Sequence, residues 1–92
     1  MAIPSTSYDP VTNSKATVLL IDDDAEIRYS LDRVLSQEGH AVICADSGEE
    51  GIKTARRENP NLIFLDNRMG GISGIETLQH LRTAAPNSLV IL

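Results

Sequence analysis

Four apolar runs of strand length, Thr17-Val18-Leu19-Leu20-Ile21, Ala41-Val42-Ile43-Cys44-Ala45, Leu62-Ile63-Phe64-Leu65 and Ser88-Leu89-Val90-Ile91-Leu92, alternate with stretches of helical apolar period. That alternation restricts the fold more than any other feature. Runs that are apolar throughout imply strands buried on both faces, and strands joined by helical crossovers pair in parallel through right-handed connections. The expected fold class is α/β, a doubly wound parallel sheet with helices on both faces. Winding reverses after the second strand, which places the first helix on one face and the second and third on the other. At 92 residues the chain has room for one modest core.

Local signals set the helix limits. Asp24 caps a first helix whose Ile27, Leu31, Val34 and Leu35 recur on one side, and Gly39 closes it. His40 then reads as a turn or edge residue, since no second His or Cys stands at ligand spacing. Ser47 with Glu50 forms a capping box for a second helix that turns Ile52 and Ala55 inward and Lys53, Arg56 and Arg57 to solvent. Asn59-Pro60 ends it, because the residue before proline avoids helical backbone. Gly74 introduces a third helix, with Ile75, Leu78 and Leu81 inward, Glu76, Gln79 and Arg82 outward, and His80 on the surface. Residues 1–14 hold Pro4 and Pro10 and no apolar period, the composition of a disordered leader.

Composition excludes several functions. A formal net charge of −5 argues against a segment that grips a nucleic-acid backbone directly. Cys44 is the single cysteine, so no internal disulfide forms, and its place in an apolar strand suggests a buried thiol in a reducing compartment. No apolar run is long enough to cross a bilayer and no signal-peptide pattern opens the chain, so the expected location is cytoplasmic, away from membranes. Walker loops, zinc spacings and hydrolase elbows are absent.

The chemistry lies in acids at strand ends. Asp66 follows Leu65 directly and precedes a Gly-rich turn through Gly70, Gly71 and Gly74, while Asp22-Asp23-Asp24 follows the first strand. In a doubly wound sheet with strands one and three adjacent, those ends share a crevice. Gathered carboxylates repel unless a cation offsets them, and a sparse, hydrated set of oxygen ligands suits Mg²⁺. Such an ion also neutralises an incoming phosphoryl group, for which Asp66 is the best acceptor and Asp22 and Asp23 are metal holders. Helix capping alone explains Asp24 and leaves Asp22 unexplained.

The run Val18-Leu19-Leu20-Ile21-Asp22-Asp23-Asp24-Ala25-Glu26-Ile27-Arg28, with Leu65-Asp66-Asn67-Arg68-Met69 and the turn to Gly74, resembles the receiver domain of two-component response regulators over residues 15–92. The resemblance implies a flavodoxin-like sheet of strand order 2-1-3-4, with the fifth βα unit absent from this stretch. It implies Asp66 as phosphoacceptor for a sensor histidine kinase. Asp23, Asp66 and the backbone carbonyl of Arg68 become Mg²⁺ ligands, with Asp22 acting through a water. Phosphorylation would be read by a downstream output domain, in the style of transcriptional activators. Gly70 stands where the family usually has proline, and the family's switch Thr or Ser and its later Lys find no counterpart before Leu92. Without later elements, the sheet face under the first helix stays partly uncovered, which admits a longer ordered chain, a covering partner, a swapped element or a dimer. Two other functions fit the acids: an Mg²⁺-dependent phosphohydrolase with an aspartyl nucleophile, and a degenerate interaction module that is never phosphorylated.

Overall fold

The computed structural model describes residues 15–66, 68 and 72–92; the expected leader and the turn residues Asn67, Met69, Gly70 and Gly71 lie outside the described residues. The chain runs β1 (Thr17–Ile21), α1 (Ala25–Gln37), β2 (Ala41–Ala45), α2 (Gly48–Glu58), β3 (Leu62–Leu65), α3 (Gly74–Ala84) and β4 (Leu89–Ile91). The strands form one parallel sheet in the order β2-β1-β3-β4, the doubly wound α/β arrangement expected of the sequence. Ile21 stands beside both Ala45 and Leu65. Strands β1 and β3 therefore end level, and Asp22 and Asp66 leave the sheet side by side.

The main core lies between the sheet and the α2–α3 layer. Leu19, Ile21, Ile63 and Leu65 meet Ala55 of α2, Leu81 of α3 and Ala85. Full burial of each large aliphatic side chain contributes about 1.5–3 kcal/mol. Strand β1 is central, so Val18 to Ile21 are buried on both faces. That burial explains why its sequence is apolar throughout rather than alternating.

Capping follows local chemistry. Gly39, at φ 94°, ends α1 in a Schellman turn: its N–H donates to the Ser36 carbonyl at 3.0 Å, and that of His40 to the Leu35 carbonyl at 3.1 Å. His40 Nδ1 accepts from the Ala16 N–H at 3.1 Å, which ties the strand entry together as an edge role requires. Helix α2 starts with Ser47 accepting from the Glu50 N–H, and it ends in left-handed Asn59 at φ 49°. Asparagine tolerates that conformation, so the helix stops through an Asn cap as well as the following proline.

Three expectations about burial are corrected. Ile75 is exposed, and Thr77 takes the inward position in α3, where its hydroxyl donates to the Ser73 carbonyl at 2.8 Å. Room for Thr77 exists because α2 begins with Gly48, whose missing side chain lets the two helices approach. Ile27, Leu31 and Val34 of α1 are exposed, and only Leu35 of the expected stripe is partly covered. Helix α1 lies on β1 and β2, so its flank borders an open groove of about 320 Å³ with Phe64, Ile91 and Leu92. Cys44 is exposed because it stands on edge strand β2, where neither a further strand nor the flank of α1 covers it among the described residues.

Candidate functional site

The sheet delivers two acids to one rim, and local hydrogen bonds aim them. The Asp22 N–H donates to the Ala45 carbonyl at 3.1 Å and the Asp66 N–H to the Ile21 carbonyl at 2.9 Å, extending the ladders one residue beyond the strands. Asp22 Oδ1 accepts from the Asp24 N–H at 2.9 Å, an Asx turn that bends the chain away from the sheet. Asp24 faces the other way, accepting from the N–H groups of Glu26 at 2.9 Å and Ile27 at 3.4 Å as the α1 cap. Of the three consecutive acids, Asp24 therefore serves the helix, while Asp22 and Asp23 remain for the crevice.

Carboxylate oxygens of Asp22, Asp23 and Asp66 all lie within 4.8 Å of one another. This is the convergence expected of the sequence. Asp22 and Asp66 are half-buried and Asp23 is exposed, so the cluster opens to solvent on one side. Burial first, then the charge of and a hydrogen bond with Asp66, and the Asp23 charge, push the Asp22 carboxyl above its ordinary value of 3.8; the Asp24 N–H pulls against them. Little compensating positive charge is held in place. Arg68 donates its N–H to Asp66 Oδ1 at 3.1 Å, but its Nε stays 3.9 Å from that oxygen on a side chain 86% exposed, a pairing worth little in water.

The residues present suit a hard divalent cation. Their donors are oxygens only, few in number, partly open to water and in surplus negative charge, conditions that match Mg²⁺ better than an ion needing a dense protein cage. One site residue escaped the sequence reading. Arg28, in the first turns of α1, reaches back and donates Nη1 to the Asp22 carbonyl at 2.6 Å. Its only sequence signal is a long cationic side chain within reach of a strand-end acid, which many helices carry without such a contact.

Comparison with known proteins agrees with this geometry. The family model described as response regulator receiver domain matches residues 18–92. Transcriptional regulatory protein AfsQ1 of Streptomyces coelicolor is 40% identical over 76 residues, covering 83% of this chain and 34% of that protein. Protein PilH of Pseudomonas aeruginosa is 32% identical over 75 residues, covering 82% of this chain and 62% of its own length. The chain thus spans only part of the curated relatives it matches. Among solved structures, the response regulator TrrA of Thermotoga maritima in complex with Mg(2+)-BeF superposes with a TM-score of 0.78 at 35% identity, covering 86% of this chain and 68% of that one. With the strand order, the acidic rim and these matches in agreement, the chain belongs to the receiver domains of two-component response regulators.

Proposed function

We propose that Asp66 accepts a phosphoryl group from a sensor histidine kinase, and that Asp23, Asp66 and the backbone carbonyl of Arg68 hold the Mg²⁺ this requires, with Asp22 acting through an intervening water. The meeting of three carboxylates from two adjacent strand ends carries the reading. The ion, when bound, offsets the negative charge that acceptor and phosphoryl group would bring together. The chain's own residues do the rest. The Ile21 carbonyl and the Arg68 N–H fix Asp66 from two sides. An Asp66 carboxylate oxygen attacks phosphorus, the P–N bond of the phosphohistidine breaks, and its electron pair returns to the imidazole nitrogen.

The phosphorylated state is then read by a downstream output domain, for which a transcriptional role follows the naming of AfsQ1. The setting is the cytoplasm, with no direct nucleic-acid contact by this segment, and the exposed apolar flank of α1 leaves dimerisation open. A domain of this kind assists its own phosphorylation and dephosphorylation without turning over a free substrate. Acetyl phosphate with Mg²⁺, followed by intact mass and hydroxylamine treatment, tests the reading. One hydroxylamine-labile phosphoryl group on the native chain and none on Asp66→Asn is the expected result. Rapid phosphate release without accumulation points to the phosphohydrolase. An unmodified chain that also ignores Mg²⁺ points to the inert interaction module.

A further inference from the structure

We infer that Arg28 is a positioning residue for the acidic rim: by gripping the Asp22 backbone it sets the pose of the carboxylates that β1 delivers, an inference that rests on the magnesium reading above. The turn from β1 to α1 must leave the sheet and start a helix within residues 22–24. The Asp22 N–H is held by Ala45, and its Oδ1 is held by the Asp24 N–H. Its carbonyl lies beyond both strand ladders and receives no backbone N–H among the described residues; Arg28 Nη1 supplies the donor at 2.6 Å. A charge-assisted bond of that length is about twice as strong as a neutral one. With it made, the N–H, the carbonyl and the carboxylate of Asp22 are all engaged, and the peptide leading into Asp23 has a fixed orientation.

Two opposite effects of Arg28 on cation binding can be separated. Its positive charge repels a cation, whereas its grip on Asp22 preorganises ligands. Its guanidinium bonds the Asp22 carbonyl and, among the described residues, forms no ion pair with a carboxylate of the rim, so the geometry favours the mechanical effect. Arg28 also borders both the groove containing Asp66 and the cleft beside Cys44 and Asp46, so it forms the ridge between them.

The test is an Mg²⁺ titration of the whole chain, followed by backbone amide NMR, for the native sequence, Arg28→Gln and Arg28→Lys. Loss of an outer partner of a metal site weakens affinity 10- to 100-fold, and the lower end, about tenfold, is expected for Arg28→Gln. Amides of residues 22–24 should already be displaced without metal, while those of Leu19 and Ile63 in the core stay in place. Arg28→Lys, which keeps the charge and loses the planar fork, should fall between the two. Unchanged binding in Arg28→Gln overturns the inference, as does tighter binding, the signature of a charge effect alone. If Arg28→Gln does not fold, Arg28→Lys decides: weaker binding supports the role and native affinity overturns it. A native chain that binds no Mg²⁺ overturns the metal site and this inference together, whereas native binding with indifferent variants overturns this inference alone.

Discussion

A methyl group added at Gly51 would be driven into the strand that leads to the acidic rim. An ideal Cβ there meets Ile21 Cδ1, with Cγ1 at 2.8 Å and Cγ2 at 3.1 Å, well inside the ~3.5–4.0 Å separation of packed carbons. Ile21 is 1% exposed between Ala45 and Leu65, so it has little freedom to move aside. In a solvent-facing helix, Gly→Ala gains about 0.5–1 kcal/mol. Overpacking a close-fitting core costs about 1–3 kcal/mol. Packing wins, and Gly51→Ala should lose about 1–2 kcal/mol, which lowers Tm by roughly 4–16 °C in a domain of this size. Urea melts followed by circular dichroism measure the loss. Ile21→Val, which removes Cδ1, costs about 0.5–1.5 kcal/mol alone. The double variant should recover about 1 kcal/mol relative to the sum. A stabilised Gly51→Ala, or strict additivity with Ile21→Val, would refute the contact. Because Ile21 leads into Asp22, Gly51→Ala should also weaken Mg²⁺ binding.

Other outcomes follow from the same contacts. Asp24→Ala removes the α1 cap and should destabilise the chain by about 0.5–2 kcal/mol in the same melts. Asp22→Asn keeps the acceptor for the Asp24 N–H and removes a carboxylate whose folded value lies above its ordinary 3.8. Such a group favours the folded state only while protonated, so its contribution is lost as pH rises above 3.8 and through the folded value. Metal-free Asp22→Asn should therefore be the more stable protein at pH 7, by less than about 1 kcal/mol at this half-exposed site, and the gain should vanish in acid. Thermal melts across pH check the sign. Cys44 should react with a thiol reagent in the folded chain, at a rate still climbing above pH 9.0, because burial first and then Asp32 hold its thiol above that ordinary value. Protection until unfolding would contradict its exposure.

The sheet and most of the acidic rim were legible in the sequence because their signals are local. An apolar run ending in Asp marks both a strand and the place its chain leaves the sheet, and Asp24, Gly39 and Ser47 announce helix limits through hydrogen bonds to near neighbours. What escaped depends on distant partners. Cys44 is apolar in context, yet its exposure is decided by whether anything covers its edge strand, and among the described residues nothing does. Helical period marks Ile75 and Leu81 as one stripe, but Thr77 faces inward because Gly48 on another helix leaves space for it. The apolar stripe of α1 promised burial that its setting on β1 and β2 does not provide. Arg28 was missed because its partner is a backbone carbonyl, which leaves no mark in the identity of the residue that offers it.

Thermal unfolding with increasing Mg²⁺, run in parallel on the native chain and Asp23→Ala, asks whether the rim is a metal site at all. Binding to the folded state alone stabilises by about 2.7 kcal/mol at a hundredfold excess over Kd, and the native chain should show that saturable rise in Tm. Asp23→Ala, which loses one of three converging carboxylates, should show little or none. A native chain indifferent to Mg²⁺, or an Asp23→Ala chain that responds equally, would contradict the site on which the phosphoacceptor role of Asp66 depends.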